Sequence, residues 1–174
     1  ETSNWSGRTI LVTGHTGFKG GWLTVWLDLL GAKVHGLGLD PPTAPSLFES
    51  AGIDNLLVTD HRTDIRDYTQ LEIVVRAVRP EIIVHLAAQP LVTRGFDDPV
   101  ETWGVNVIGT VNLLEVARRS AEVAAVLVVT TDKVYEDTDH DVGYRETDRL
   151  GADDPYGASK AAVELVAQSF RTLL

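Results

Sequence analysis

The chain has 174 residues, no cysteine and a formal net charge of −10 at pH 7. This length is enough for one domain with a proper core, and the lack of cysteine excludes disulfides, cysteine-ligated metals and thiol nucleophiles. The negative charge argues against nucleic acids and anionic membranes as partners.

The sequence also carries no sign of membrane insertion or secretion. No apolar stretch is long enough to span a bilayer, and none has the pattern of a signal peptide. We therefore expect a cytoplasmic protein. The five histidines, at positions 15, 35, 61, 85 and 140, show no ligand spacing, so we expect no metal site.

The chain opens with an alternation of strand and helix. An apolar run predicts a strand over 9–13, and a helix follows over about 18–30. Apolar residues recur on one face of that helix, at Leu23, Trp26, Leu27 and Leu30. Gly31 ends the helix, and a strand over 33–38 precedes a proline-rich loop that runs to Pro45.

The alternation continues along the rest of the sequence. We predict strands near 56–59, over 81–86 and over 124–130, and helices over 69–78, 99–119 and 155–173. The last strand is a continuous apolar run, which predicts burial on both faces of a parallel sheet. This spacing of strands and helices predicts an α/β fold, a doubly wound parallel sheet of the Rossmann type.

Three glycines lie between the first strand and the first helix, at Gly14, Gly17 and Gly20. Glycine permits a tight turn, close approach of a pyrophosphate to the backbone and close helix–strand packing. The helix N-terminus adds free N–H groups and the positive end of a dipole. The Gly-x-x-Gly-x-x-Gly spacing therefore predicts a dinucleotide site, and an ordinary glycine-rich turn is the alternative.

A Tyr-x-x-x-Lys motif, Tyr156 and Lys160, opens the last predicted helix. Residues four apart share a helix face, so the Lys160 ammonium can lie beside the phenol and favour the phenolate. An unperturbed tyrosine has a pKa near ~10 and needs such help to act as a base near neutrality. The motif predicts a proton-transfer site, and an exposed pair that only stabilises the helix is the alternative.

Polar residues follow the apolar run 124–129, at Thr130, Thr131, Asp132 and Lys133. Ligands of doubly wound sheets bind outside the carboxyl ends of the strands, so we expect these side chains in the cleft. The Thr131 hydroxyl can bond to a sugar hydroxyl or to a phenol, and the next two residues offer an acid and a base. A capped turn is the alternative, and it is a reasonable one for Thr130.

One acidic residue, Asp40, follows the second predicted strand. It could accept hydrogen bonds from an adenine ribose and repel a 2′-phosphate, which favours NAD over NADP, but it lies further from Gly14 than the usual ~20 residues. A plain loop aspartate is the alternative. Within the glycine loop, His15 and Lys19 either touch the pyrophosphate or face solvent.

These motifs resemble those of the extended short-chain dehydrogenase/reductases that act on nucleotide sugars. Within that family the chain is similar to the dehydratases of CDP-glucose, over residues 5 to about 167. Lys133 is the most specific point, because the similar dTDP-glucose dehydratases carry Thr-Asp-Glu where this chain has Thr-Asp-Lys. The other segments that carry the resemblance are 14–20, 41–49, 64–67, 85–92, 98–102, 106–110, 143–146 and 154–156.

The resemblance implies that NAD is bound and assigns the residues that bind it. They are Gly14, His15, Thr16, Gly17, Phe18, Lys19, Gly20, Asp40, Asp64, Ile65, Leu86, Ala87, Ala88, Gln89, Thr130, Tyr156 and Lys160. Asp64 and Ile65 match the adenine-binding position of the family. Residues 86–89 match the loop that lines the cofactor after the fourth strand.

The resemblance also implies a lyase reaction, the dehydration of CDP-glucose to CDP-4-keto-6-deoxyglucose by internal hydride transfer. The implied catalytic residues are Thr131, Asp132, Lys133, Tyr156 and Lys160. Alternatives on the same scaffold are dTDP-glucose 4,6-dehydratase and UDP-sugar 4-epimerase, although an epimerase needs no acid/base pair for elimination. A non-catalytic dinucleotide-binding sensor is a further alternative, against which the chain keeps the threonine, tyrosine and lysine.

Family members similar to this chain are roughly twice its length, and their other half supplies most of the sugar-nucleotide pocket. The chain has no methionine, and its last predicted helix shows no stop signal before Leu174. We therefore expect 1–174 to be the NAD-binding domain of a longer protein, unable to turn over substrate alone. Similar proteins form homodimers or higher homo-oligomers through helices that correspond to 99–119 and 155–173.

Overall fold

The computed structural model describes residues 4–137 and 142–173. The strands are β1 (Thr9–Thr13), β2 (Lys33–Gly38), β3 (Thr59–Arg62), β4 (Ile82–His85) and β5 (Ala125–Val128). The helices are α1 (Phe18–Leu29), α2 (Leu47–Ser50), α3 (Tyr68–Val78), α4 (Val92–Asp97), α5 (Pro99–Trp103), α6 (Gly109–Arg118) and α7 (Pro155–Arg171). The predictions that concern His140, Leu174 and the domain boundaries at residues 1 and 174 fall outside the described residues.

The five strands form one parallel sheet in the order β3-β2-β1-β4-β5. The chain moves outward from β1 to β3 and then returns to the other side of β1 to form β4 and β5. This reversal places a topological switch point between β1 and β4, where ligands of such sheets bind. The predicted fold class, a doubly wound parallel sheet, is confirmed.

The chain forms two compact units. The first unit runs up to Ala87 and includes Asn112–Val129, so it contains the whole sheet. The second unit combines Ala88–Val111 with the chain from Thr130 onward.

The core of the first unit follows from the alternation of side chains along each strand. Ile10, Val12, Val34 and Val84 share one face of the sheet, where they form a buried cluster with Leu27 of α1. Leu11 and Ile83 alternate to the opposite face and are fully buried. The sheet is therefore apolar on both sides near its centre, as a parallel sheet covered by helices requires.

In the second unit, α4, α5 and α7 pack together. The helix α7 begins with strong local signals, since Asp154 is its N-cap and accepts hydrogen bonds from the backbone N–H groups of Tyr156 (2.9 Å) and Gly157 (3.0 Å). Pro155 occupies the first helical position, where its missing N–H costs nothing. These caps fix the point at which the helix carrying Tyr156 starts.

Two predicted strands differ from the observed ones. The strand expected near 56–59 lies at Thr59–Arg62, because the apolar residues before it form a 3-10 turn, Ile53–Leu56, instead. The strand expected to be buried on both faces is β5, which is the last strand of the sheet and has Leu127 59% exposed. On a strand at the edge of the sheet, apolar side chains can remain exposed to solvent, whereas a central strand would bury them.

Predicted helices also differ in detail. The single helix expected over 99–119 consists of α5, a π-helical segment (Gly104–Ile108) and α6. The short helices α2 and α4 were not predicted, since four to six residues are too few to show helical periodicity. Across the described ranges, no helix is long and apolar enough to cross a membrane.

Candidate active site

The glycine loop between β1 and α1 is built from close backbone contacts. Gly14 has a φ of +74°, a conformation that favours glycine. A Cβ on Gly14 would lie 2.7 Å from the Ala87 backbone nitrogen, and one on Gly20 would lie 2.1 Å from the Gly14 carbonyl oxygen. The first and third glycines are therefore required by packing within the loop.

Gly17 has a more open environment, since a Cβ there would meet only the Gly14 carbonyl oxygen, at 3.4 Å. Gly17 is the N-cap of α1, and no side chain of the described residues caps this helix end. The first N–H groups of a helix have no partner within the helix, and its dipole attracts negative charge. A pyrophosphate fits this open, uncapped helix N-terminus.

The side chains of the loop differ in exposure. His15 and Thr16 are buried, whereas Phe18 is 72% exposed and Lys19 is also exposed. The expectation that His15 could face solvent is wrong, because its ring is buried with Nε2 2.9 Å from a carboxylate oxygen of Asp60. Contact of Lys19 with a pyrophosphate stays a prediction.

Thr13 joins the glycine loop to the loop after β4. Its hydroxyl oxygen lies 2.7 Å from His85 Nδ1 and accepts hydrogen bonds from the backbone N–H groups of Leu86 and Ala87, both at 3.2 Å. The structure thus brings two predicted cofactor residues beside Gly14, at the switch point. The sequence analysis placed His85 in a segment that carries the family resemblance, but it assigned neither Thr13 nor His85 a role in the site.

The residues predicted to bind the adenosine half follow β2 and β3. The Asp40 side chain is 92% exposed and lies 3.7 Å from an Arg62 nitrogen. Both carboxylate oxygens of Asp64 accept hydrogen bonds from Arg66, which hold the pKa of Asp64 below its usual value. Ile65 is buried beside it, and the roles of these residues in cofactor binding stay predictions.

The second unit holds the predicted catalytic residues. Burial raises the pKa of the Tyr156 phenol above its ordinary value, and a side-chain hydrogen bond between Tyr156 and Thr131 lowers it by a smaller amount. The carboxylates of Asp132 and Asp154 also raise the Tyr156 pKa. The phenol therefore needs a nearby positive charge to ionise close to neutrality.

Lys160 is the residue placed to supply that charge. It lies four residues after Tyr156 on α7, hence on the same face of the helix, and is only 7% exposed. An ammonium in this position would oppose the effect of burial on the phenol. This role of Lys160 stays a prediction.

Asp132 and Lys133 lie in a 3-10 turn, Asp132–Val134, directly after Thr131. The Thr131 hydroxyl donates to an Asp132 carboxylate oxygen at 3.1 Å and accepts from the Lys133 backbone N–H at 3.4 Å. Thr131 is therefore the cap of this turn. The sequence analysis had considered a capping role reasonable for Thr130 instead. Both ionisable side chains of the turn are exposed and accessible to a substrate.

Thr130 has a different partner, Glu164 of α7, to which its hydroxyl donates a hydrogen bond. The sequence analysis did not single out Glu164. A signal was available, because it is the only acidic residue after Lys160 and lies one helical turn beyond it. The contact ties the segment before Thr131 to the helix that carries the Tyr-x-x-x-Lys motif.

A buried polar network supports Gln89. The Asn106 side chain accepts from the Gln89 backbone N–H at 2.8 Å and donates to the Gln89 carbonyl oxygen at 3.2 Å and to the Ser159 hydroxyl at 2.9 Å. Ser159 in turn donates to the Tyr156 carbonyl oxygen at 2.7 Å. The network holds Gln89, with the half-buried Ala88 before it, to the first turns of α7.

Among residues 4–137 and 142–173, no group of three or more histidine, cysteine, aspartate or glutamate side chains could hold a metal ion. The site chemistry described above consists of a phenol, hydroxyls, a carboxylate and two amines in the second unit. The first unit contributes an open helix N-terminus with a glycine loop. The groups of the first unit are suited to binding a pyrophosphate, and those of the second unit to moving protons at hydroxyl-bearing carbons.

A parallel sheet with a Gly-x-x-Gly-x-x-Gly loop after its first strand and a Tyr-x-x-x-Lys motif on a later helix places this chain among the extended short-chain dehydrogenase/reductases. The chain belongs to the GDP-mannose 4,6 dehydratase family, whose model matches residues 11–173. The predicted resemblance to nucleotide-sugar dehydratases is thereby confirmed.

The chain is also similar to individual nucleotide-sugar enzymes. The chain is 47% identical to the CDP-glucose 4,6-dehydratase of Salmonella typhimurium over 167 residues, which are 96% of this chain and 46% of the relative. A UDP-glucose 4-epimerase structure from Thermus thermophilus, in complex with NAD, is 32% identical with a TM-score of 0.80 and covers 94% of this chain and 50% of that one.

A third similar protein is a double mutant of the dTDP-glucose 4,6-dehydratase of Streptomyces venezuelae, solved with NAD bound. It is 32% identical with a TM-score of 0.79, and the match covers 94% of this chain and 51% of that one. The chain therefore spans about half the length of the relatives that it matches.

Proposed function

We propose that the protein containing this chain is an NAD-dependent lyase that converts CDP-glucose to CDP-4-keto-6-deoxyglucose. The observation that carries the proposal is the 47% identity to a CDP-glucose 4,6-dehydratase across nearly the whole chain. Residues 1–174 would be its NAD-binding domain.

The glycine loop would hold the cofactor through the backbone around Gly17, and the small Ala87 and Ala88 let a dinucleotide lie close to the chain after β4. The proposal of NAD is supported by the fit of a pyrophosphate to the uncapped N-terminus of α1. When bound, NAD supplies the acceptor for the hydride from C4 of the sugar and the donor of the hydride to C6.

In the oxidation step, Tyr156 would remove the proton of the sugar 4-hydroxyl. Thr131 would position that hydroxyl, since its own hydroxyl already bonds to the phenol. Lys160 would favour the phenolate and can hydrogen-bond the nicotinamide ribose. The product of this step is a 4-ketone, which acidifies the proton on C5.

The elimination step would use Asp132 and Lys133, in the turn after β5. Asp132 would protonate the departing 6-hydroxyl and Lys133 would remove the C5 proton, so that water leaves across C5–C6. An amine that acts as a base must be partly neutral. Lys133 would therefore act in its uncharged form in this step.

The proposed assembly is a homodimer or a higher homo-oligomer formed through the helical segments 99–118 and 155–171. Apolar residues on these segments support it, since Val100, Ile108 and Leu165 are 82%, 54% and 58% exposed. A nucleotide-sugar substrate is the other proposed partner. The cytoplasmic location stays a prediction of the sequence.

Two other reactions are compatible with this scaffold. Relatives that are 32% identical include a UDP-glucose 4-epimerase and a dTDP-glucose 4,6-dehydratase. Lys133 favours CDP-glucose over dTDP-glucose in our interpretation, and the Asp132–Lys133 pair argues against an epimerase. A non-catalytic sensor is disfavoured because Thr131, Tyr156 and Lys160 are all present.

The test is formation of the 4-keto sugar by the complete protein with NAD, with CDP-glucose and dTDP-glucose assayed in parallel. We expect turnover of CDP-glucose alone. Tyr156→Phe is the control and should lower kcat by at least ~10²-fold, because general-base catalysis is lost. Turnover of dTDP-glucose would contradict the proposed substrate, and turnover of neither would contradict the proposed reaction.

A further inference from the structure

The helix α1 carries apolar side chains on its outer face as well as on the face that covers the sheet. The outer residues, which we call the α1 stripe, are Phe18, Trp22, Val25 and Leu29. At about 100° per residue, they lie on the side of the helix opposite the buried Thr24 and Leu27. Phe18, Trp22 and Leu29 are 72%, 54% and 77% exposed, and Val25 is half-buried.

Such a surface is unusual on a helix that faces solvent. The outer side of a surface helix ordinarily carries charged and polar residues, but α1 has only two charged residues, Lys19 and Asp28. Trp26, which is 63% exposed, lies on the flank of the α1 stripe and extends it. The exposed parts of the three aromatic side chains amount to roughly 400 Å². Apolar patches of this size mark contact surfaces.

The spacing of the α1 stripe is that of a contact between two helices. Its successive members are four, three and four residues apart, as are the core positions of a coiled coil. A second helix with the same spacing can pack its side chains between those of the stripe along the whole of α1. The element that fits this surface is therefore a helix.

The α1 stripe is complementary to itself when two copies run antiparallel. Phe18 and Leu29 are equally far from its midpoint, and so are Trp22 and Val25. A two-fold axis at the midpoint therefore sets each Trp22 against a Val25, a large side chain against a small one. A parallel pair would instead set Trp22 against Trp22, with both helix dipoles pointing the same way.

The size and the position of the α1 stripe favour a second copy as its partner. Burial of the aromatic surface on both copies would give roughly 800 Å², and Val25 and Leu29 bring this toward the ~1,000 Å² of a specific interface. A further helix from the rest of the complete protein, packed on the same side of the sheet, would lie beside α1 in one layer. It would meet the half-buried flank at Leu23 and Leu30 and leave the outer face open.

We propose that the α1 stripe binds the α1 stripe of a second copy of the protein, with the two helices antiparallel about a two-fold axis. The stripe shares no residue with the helical segments 99–118 and 155–171 of the assembly proposed above. The pairing of α1 is thus a separate contact, which doubles the mass of the assembly that forms without it. It requires neither the cofactor nor the substrate.

The test is the mass of the complete protein by sedimentation velocity, with the melting temperature measured alongside. Leu29→Lys should halve the mass, because the two-fold axis places two lysines in an apolar contact. A lysine in the last turn of α1 suits the helix dipole, so the fold should be retained. Ile73→Lys is the matched control, since Ile73 is 54% exposed on α3 and the change of charge is the same. This control should keep the wild-type mass.

Two complementary variants test the antiparallel register. Trp22→Glu and Val25→Lys should each show half the wild-type mass when alone, since each would bury an unpaired charge. When they are mixed in equal amounts, the full mass should return. The introduced carboxylate of one copy then meets the introduced ammonium of the other, while the native Val25 and Trp22 still meet across the axis.

A mass that Leu29→Lys leaves unchanged would overturn the proposal. In that case a lowered melting temperature would indicate that the rest of the protein covers the α1 stripe. Binding of the wild type to phosphatidylcholine vesicles, lost in Leu29→Lys without a change of mass, would assign the stripe to a membrane and would also overturn the proposal.

A mixture of Trp22→Glu and Val25→Lys that does not regain the wild-type mass would overturn the antiparallel pairing. None of these measurements depends on formation of the keto sugar. The failure of this inference is therefore distinguishable from the failure of the proposed function.

Discussion

The ionisation of Tyr156 depends on four neighbouring features. Burial raises the pKa of the phenol most, and the carboxylates of Asp132 and Asp154 raise it further. The side-chain hydrogen bond between Thr131 and Tyr156 is the feature that lowers it. Thr131 therefore favours ionisation of the phenol, in addition to its proposed role in positioning the sugar.

We predict that Thr131→Val shifts the pH dependence of kcat/KM. Removing the hydroxyl removes a hydrogen bond that stabilises the phenolate, so the Tyr156 pKa rises and the base form appears only at higher pH. The rise of kcat/KM with pH should move to higher pH, measured with the complete protein between pH 6 and 10. Thr131→Ser keeps the hydroxyl and should leave the profile in place. An unchanged profile in the valine variant would contradict this account.

At the scale of elements, the π-helical segment Gly104–Ile108 explains why one predicted helix is observed as three pieces. Such segments are often found at functional sites. Here the segment carries Asn106, whose side chain is 1% exposed and bonded to Gln89 and Ser159. The irregular geometry thus coincides with a buried amide that joins the loop at Gln89 to α7.

We predict that Asn106→Leu lowers the free energy of unfolding by about 1–3 kcal/mol, because the backbone groups of Gln89 lose their partner while buried. The measurement is urea denaturation of the complete protein. Asn112→Leu is a matched control six positions along the same helical stretch. Its amide bonds to the carbonyl oxygens of Ile65 and Arg66 at a partly exposed site, so its cost should be smaller. Equal costs in the two variants would refute the prediction.

At the scale of the whole molecule, two buried histidines connect folding to pH. Burial lowers the pKa of His15. The nearby carboxylate of Asp60 raises this pKa by a smaller amount, and the guanidinium of Arg62 lowers it further. Burial also lowers the pKa of His35, and the nearby His61 and Lys33 add to this effect. In both cases the folded state binds its proton less readily than the unfolded chain does.

We predict that stability falls as the pH is lowered from about 7.5 to 5.5. The unfolded histidines have a pKa near ~6.5 and the folded ones a lower value, so the unfolded state binds more protons in this interval. The contribution is complete above ~6.5 and is lost as pH falls toward the folded pKa values. Urea denaturation at each pH measures it. A His15→Gln/His35→Gln variant should show a flatter dependence, and an equally steep one would disprove the assignment.

Local patterns account for much of the fold. The helix α1 and the strand β2 lie where apolar periodicity and Gly31 predict them, and α7 starts at its predicted proline. The prediction placed the third strand too early in the chain, because β3 itself is polar, Thr-Asp-His-Arg, and carries no apolar signal. Its position is decided by hydrogen bonds to β2 rather than by burial.

The sequence by itself determined the order of elements, the glycine loop and the Tyr-x-x-x-Lys motif, because each depends on residues within one helical turn or one tight turn. The tertiary structure alone decided which partners distant side chains have. His15 meets Asp60, 45 positions away, and Thr130 meets Glu164, 34 positions away. Such pairs depend on how strands and helices pack, and no local periodicity encodes that packing.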